Sequence, residues 1–300
     1  MAKKGPSGPG GLIIVDKPAG MTSHDVVSRV RRIAGTRRVG HAGTLDPMAT
    51  GVLVLGVERS TKLMNHLVLT DKTYRATIRL GAATSTDDAE GAVLSTAPAA
   101  GLDPATISAA IGTLTGDILQ RPSSVSAIKV GGERAYALVR DGRSVELAAR
   151  PVTVDRFEIV SPFRPVEAFS DFDVVVDCSS GTYIRALARD LGDLLGVGGH
   201  LTALRRTRVG VFGLDQALTL EQLAERDDPI ALPLPRALAA TMAIRRLRPE
   251  EASELTFGRT IPMVGIEGTY GGLDETGEAV ALLREWDGRA RPVLGFTPAS

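Results

Sequence analysis

The chain has 300 residues, of which 43% are apolar, and its 35 basic side chains balance 35 acidic ones. That composition belongs to a folded globular chain and excludes a disordered or collagen-like one. No run approaches the ~18 consecutive apolar residues that a membrane span requires. Cys178 is the single cysteine, which excludes an intrachain disulfide and a multi-cysteine zinc site.

Residues 1–10 hold two lysines among Gly and Pro and read as a flexible tail, not a signal peptide. Residues 11–16 (GLIIVD) predict a buried strand, broken by Lys17-Pro18-Ala19-Gly20. Thr22 or Ser23 then caps a helix to Ile33, with Val26, Val27, Val30 and Ile33 on one face. Val39 to Pro47 predicts a Gly-rich loop, Gly51 to Val57 a strand, and Tyr74 to Leu80 a strand with one wet face. Ala105 to Thr113 predicts a helix, and residues 121–150, polar, Gly-containing and arginine-bearing, read as an excursion from the core. Strands follow at Val152 to Val160 and Phe172 to Cys178. An amphipathic helix is expected over Tyr183 to Leu195, and further helices at 219–226 and 234–241.

Around residues 242–250 a boundary separates a domain at 11–241 from a small β-rich module at 245–300, with strand-like pieces at Ile261 to Ile266, Ala279 to Glu285 and Arg291 to Phe296. Strands and helices mix without steady alternation. The expected class is therefore α+β with a mixed, mainly antiparallel central sheet flanked by helices.

Charge is uneven despite the zero sum. Five arginines and no acid fall between Arg29 and Arg38, and further clusters are Arg205, Arg206, Arg208 and Arg245, Arg246, Arg248. Arginine's planar fork suits phosphate and stacks on bases, so the clusters are candidate RNA contacts. The same runs also suit solvated faces.

The segment with the most chemistry is Gly40-His41-Ala42-Gly43-Thr44-Leu45-Asp46-Pro47. Pro47 restricts Asp46 to extended conformations, and a rigidly held carboxylate suits a covalent nucleophile. Alone, Leu-Asp-Pro reads more readily as an Asx-turn or helix-cap aspartate. The wider context is an ordered set of pieces. They are Leu12-Ile-Ile-Val-Asp-Lys-Pro-Ala-Gly-Met-Thr-Ser23, the Asp46 loop with Ala49-Thr-Gly51, Lys72-Thr-Tyr-Arg75 and Leu80-Gly-Ala-Ala-Thr84. Then come Asp87-Asp88-Ala-Glu-Gly91, Arg121-Pro-Ser-Ser-Val-Ser-Ala-Ile-Lys129, Gly132-Glu-Arg-Ala-Tyr136, Cys178-Ser-Ser-Gly-Thr-Tyr-Ile-Arg185 and Gly199-His-Leu-Thr-Ala-Leu-Arg-Arg206. In this order and spacing, from about residue 11 to 210, the chain resembles the bacterial tRNA pseudouridine-55 synthases, the TruB-type family.

The resemblance implies the pseudouridine synthase fold and a C-terminal PUA-like RNA-binding module. It implies isomerisation of uridine 55 in the tRNA T loop by base flipping, without metal or organic cofactor, and a possible tRNA-folding role besides. It makes Asp46 the nucleophile, attacking C1′ or C6. Tyr74 becomes the ring that stacks on the base and takes the C5 proton, and Arg185 the partner of the aspartate. Tyr183, Ile184 and Leu204 would line the uracil pocket, and His41 would fill the space left by the flipped base. Lys17 and Pro18 would support the catalytic loop, and Lys129 and Arg134, in a family insertion over about 122–150, would meet T-arm phosphates. The expected partner is the tRNA T arm, bound by a cytoplasmic monomer with no membrane and no obligate protein partner. Outside those roles, His200 is expected to be scaffold and Cys178 inert core, and Asp87-Asp88 to form a turn rather than a cation site. The chain lacks a G-x-x-x-x-G-K-[ST] phosphate loop, a G-x-S-x-G elbow and G-x-G-x-x-G spacing.

Overall fold

The structure is a computed structural model and describes residues 10–123, 129–130, 133–134 and 147–296. In chain order it forms β1 (Gly11–Lys17), α1 (Ser23–Ile33), β2 (Val39–Ala42), β3 (Thr50–Val57), α2 (Met64–Leu67), β4 (Lys72–Leu80), β5 (Ala82–Thr84), β6 (Val93–Thr96), α3 (Pro104–Thr113) and β7 (Gly116–Gln120). Then follow β8 (Lys129–Val130), β9 (Glu133–Arg134), β10 (Arg150–Ile159), β11 (Arg164–Val166), β12 (Phe169–Cys178), α4 (Ile184–Leu194), β13 (Gly199–Val209), β14 (Phe212–Gly213) and α5 (Leu220–Glu225). The last elements are β15 (Leu232–Pro233), α6 (Leu234–Thr241), β16 (Ile244–Arg246), α7 (Pro249–Thr256), β17 (Ile261–Pro262), β18 (Thr269–Leu273), β19 (Ala279–Trp286) and β20 (Arg289–Gly295).

The chain divides into two compact units: Met1–Asp46, Val52–Val68 and Gly210–Ser300 form the first, and Pro47–Gly51 with Leu69–Val209 the second. In the first, β1 lies between β15 and β3, and β2 pairs antiparallel with β3. Helix α1 starts where its sequence says it should. The Thr22 hydroxyl accepts from the Asp25 amide, and the Asp25 carboxylate accepts from the Thr22 amide. That reciprocal box satisfies two donors the helix end would leave bare. Its valines 26, 27 and 30 are buried with Ile13, Val15, Leu53 and Leu55 of the strands and with Leu220 and Leu223 of α5. The same unit carries a second sheet, in the order β16-β18-β19-β20-β17, over a core that includes Leu247, Leu255, Tyr270 and Leu283.

In the second unit, β13, β4, β12, β10 and β7 run antiparallel in that order. The first two residues of β3 add to β13 in parallel, Thr50 beside Arg205 and Gly51 beside Arg206. Gly51 is required there: its φ is +102°, and a Cβ would sit 2.1 Å from the Arg206 carbonyl oxygen. The class is α+β with a mixed, mainly antiparallel sheet, as the sequence predicts.

Several elements differ from expectation. The predicted loop from Val39 begins as strand β2, paired through His41 and Leu55. The eleven-residue β13 is not predicted, because arginines and a histidine interrupt its apolar alternation. Strand β18 is hidden for another reason: Gly271 and Gly272 have no side chain to report burial, and they lie under Ile244 and Leu247. The strand expected over Ile261 to Ile266 is two residues long.

Candidate active site

Asp46 is half-buried in the loop between β2 and β3. The loop is pinned one residue earlier. Ser23, buried at the start of α1, accepts a hydrogen bond from the Leu45 amide at 2.9 Å and donates to the Leu45 carbonyl at 3.2 Å. Both polar groups of a buried peptide residue thus meet one hydroxyl, so the backbone entering Asp46 is tied to a helix end. Lys17, fully buried at the end of β1, donates from Nζ to the carbonyls of Pro18 (2.9 Å) and Met21 (2.5 Å). It closes the turn that leads into α1. His41 lies edge-on to His24, ring centroids 5.6 Å apart.

In the second unit, Tyr74 is a buried residue of β4, opposite Val176 on β12 and Arg206 on β13. Arg185, on the first turn of α4, is also buried. Its Nη1 donates to the Thr86 carbonyl at 2.8 Å and lies 3.3 Å from an Asp88 carboxylate oxygen. Asp88 is fixed in turn by the Glu90 amide at 3.0 Å and by the Thr86 hydroxyl. Asp87, at φ +60°, meets Arg189 at 3.2 Å. The two acids do form the expected turn, but they also orient two arginines. Sequence reasoning missed that role because charge pairing across 97 to 102 residues leaves no local spacing.

Tyr183 precedes α4, and the Gln120 amide clamps it on both sides, accepting from its N–H at 2.8 Å and donating to its carbonyl at 3.0 Å. Ile184 is buried. Leu204 of β13 lines a groove of about 510 Å³ with Met48, Thr50, Arg75, Thr77 and Arg205. Met48 and Thr50 of its wall belong to the Pro47–Gly51 segment of this same unit. Of the three expected uracil-pocket side chains, Leu204 alone lines it. The side chains of Lys129 and Arg134, expected to meet phosphates, and most of 122–150 lie outside the described residues; the backbones of β8 and β9 pair there.

Burial sorts the arginine clusters. Arg206 is fully buried, and Arg245 is buried against Glu251 at 2.7 Å, so neither faces solvent as a phosphate contact. A buried guanidinium is satisfied internally, which removes it from the RNA-facing set. Arg29, Arg31, Arg32, Arg37 and Arg38 are exposed. His200 is buried with Nδ1 2.8 Å from the Ala82 carbonyl, a scaffold role as expected. Burial pushes the Cys178 thiol up to about 11 and the Lys72 ammonium down to about 8, the latter also through Arg206. Among the described residues no group of His, Cys, Asp or Glu could hold a metal ion, and no helix is long and apolar enough to cross a membrane.

The model of the TruB family pseudouridylate synthase N-terminal domain matches residues 31–184. Models of the tRNA pseudouridylate synthase B C-terminal domain and the tRNA pseudouridine synthase II C terminus match 185–234 and 242–297. The chain belongs to the TruB family. Curated TruB relatives include tRNA pseudouridine synthase B of Nocardia farcinica, 61% identical over 96% of this chain and 94% of the relative. Another is that of Mycobacterium tuberculosis, 59% identical over 98% of each. Among solved structures, this TruB-family fold is similar to a Cbf5-Nop10-Gar1 complex chain (TM-score 0.71, 25% identity, 96% of this chain and 85% of that one). An archaeal box H/ACA Nop10-Cbf5 complex chain is also similar (TM-score 0.70, 24% identity, 96% of this chain and 86% of that one).

Proposed function

We propose that this chain isomerises uridine 55 in the T loop of tRNA to pseudouridine, with Asp46 as the covalent nucleophile. Identity to curated tRNA pseudouridine synthases B along almost the whole chain supports the activity and its RNA. The observation that supports Asp46 is its loop, pinned by Ser23 on one side and by Pro47 on the other. A nucleophile gains from such fixity, because orientation set before the reaction removes part of the barrier.

The reaction breaks the C1′–N1 bond and forms C1′–C5. C5 loses a proton and N1 gains one, so no electron acceptor is needed. The target base leaves its stack, at a cost of a few kcal/mol that is smallest in loops, and Tyr74 offers a ring for it to stack on. Asp46 adds at C1′ or C6, the base rotates, and Tyr74 takes the C5 proton. Arg185 has five donors; with Asp88 and the Thr86 carbonyl orienting it, the rest of its fork pairs with Asp46 and keeps that carboxylate ionised. Tyr183, Ile184 and Leu204 flank the uracil, and His41 enters the vacated space. Residues 11–241 form the catalytic part, Lys129 and Arg134 of the insertion meet T-arm phosphates, and 245–300 bind RNA. The enzyme acts as a cytoplasmic monomer without an obligate protein partner.

The test incubates unmodified tRNA transcript with wild type and Asp46→Asn and maps pseudouridine chemically. The expected result is product at position 55 from the wild type alone, with tRNA binding retained by the variant. Product from Asp46→Asn at the wild-type rate overturns the nucleophile. Binding by a wild type that makes no product leaves an RNA chaperone instead of an enzyme.

A further inference from the structure

Trp286 is the chain's single tryptophan, and 73% of it is exposed. It ends β19, where the antiparallel register puts it opposite Arg289 and puts Arg284 opposite Arg291 on β20. Directly opposed residues project to the same face, and that face repeats every second residue. Arg284, Trp286, Arg289 and Arg291 therefore share one face of the hairpin, and all four are exposed. The register carries this stripe onto Thr269 of β18 and Pro262 of β17, so no paired position on it holds an acid. Two acids flank Trp286 in the chain, Glu285 on the opposite face and Asp287 in the turn.

The hairpin is held firmly. Glu285 points to the opposite face, where it accepts from the amides of Val264 (2.7 Å) and Gly265 (2.8 Å) and from the Tyr270 hydroxyl (3.1 Å). Asp287 and Gly288 turn with φ of +54° and +72°, the left-handed pair that matches strand twist in a two-residue hairpin. Arg289 is anchored by Thr260, through its hydroxyl at 3.1 Å and its carbonyl at 2.9 Å. Arg284 and Arg291 form no ion pair among the described residues, which leaves their guanidinium groups available.

We propose that this face is a stacking platform for an unpaired nucleotide of the RNA substrate. The base lies on Trp286, and flanking phosphates meet Arg284 and Arg291. A flat, rigidly mounted indole between uncompensated guanidinium groups matches a nucleotide's flat base and anionic backbone. The inference rests on the tRNA reading above and adds a contact outside the catalytic residues.

The native tryptophan is its own probe. Unmodified tRNA added to the full-length chain should quench Trp286 fluorescence, saturating at the Kd measured by filter binding. Trp286→Ala should raise that Kd about 5- to 140-fold, the factor one stacked base is worth. Arg284→Ala and Arg291→Ala should each reduce the slope of log K against log salt by about 1. Melting temperature checks that the variants fold. Silent fluorescence together with wild-type affinity in Trp286→Ala overturns the platform. If the wild type still makes pseudouridine in that case, only the platform fails, whereas a wild type that neither binds nor modifies tRNA overturns the function itself. A concentration-dependent dimer that Trp286→Ala abolishes assigns the face to a second copy and also overturns the proposal.

Discussion

Removing the Ser23 hydroxyl is the sharpest probe of how the Asp46 loop is held. Ser23→Ala deletes a bond accepted from the Leu45 amide at 2.9 Å and one donated to its carbonyl at 3.2 Å. Ser23 and Leu45 are both buried, so water does not readily replace either bond. An unsatisfied buried group costs about 1–3 kcal/mol, which in a chain of this size lowers Tm by a few degrees, at roughly 2–4 °C per kcal/mol. The larger effect is expected in the chemistry. The residue after Leu45 is the proposed nucleophile, and a displacement of about 1 Å costs on the order of 100-fold in rate. The assay is single-turnover pseudouridine formation at saturating tRNA, beside Kd and Tm. Ser23→Ala should slow turnover at least tenfold while Kd stays at the wild-type value. A wild-type single-turnover rate in a variant whose Tm has fallen would refute the reasoning, because the bonds would then support the fold and not the nucleophile.

Two further outcomes follow from buried charges. Asp88→Asn breaks an ion pair whose side chains are both almost fully buried. Breaking a buried pair costs about 3–5 kcal/mol, the lower end here because Arg185 keeps the Thr86 carbonyl, so thermal denaturation should show a fall of roughly 6 °C or more. An unchanged Tm and rate would remove Asp88 from the account. Lys72 titrates near pH 8 in the fold against an ordinary 10.5, through burial and then Arg206. Between those values the unfolded chain binds more protons, so stability rises with pH, and the cost of the buried ammonium is fully present below pH 8. Denaturant melts of wild type and Lys72→Met should therefore show the variant's relative stability declining from pH 7 to pH 10; a constant difference would mean Lys72 keeps its ordinary titration.

The site's parts were legible to different degrees. Asp46, Tyr74 and Arg185 stand in motifs whose order and spacing are written along the chain. Their immediate supports are not. Ser23 meets Leu45 across 22 residues, and Arg185 meets Asp88 across 97, because the fold brings distant segments together. Local pattern also failed for β13, where buried Arg206 breaks the apolar alternation. The same burial took Arg206 and Arg245 out of the surface charge that the sequence suggested.

What the sequence determined by itself was local: helix α1 from its capping box and valine face, the buried strand β1, the α+β class, and the motif set that marks the family. These follow from periodicity, capping and residue order, which need no knowledge of distant contacts. What only the tertiary structure decided was which polar groups are buried together and which face water. The free energy of a charge depends on its surroundings rather than on its neighbours in sequence, so Arg206 is interior while Arg284 and Arg291 flank an exposed tryptophan.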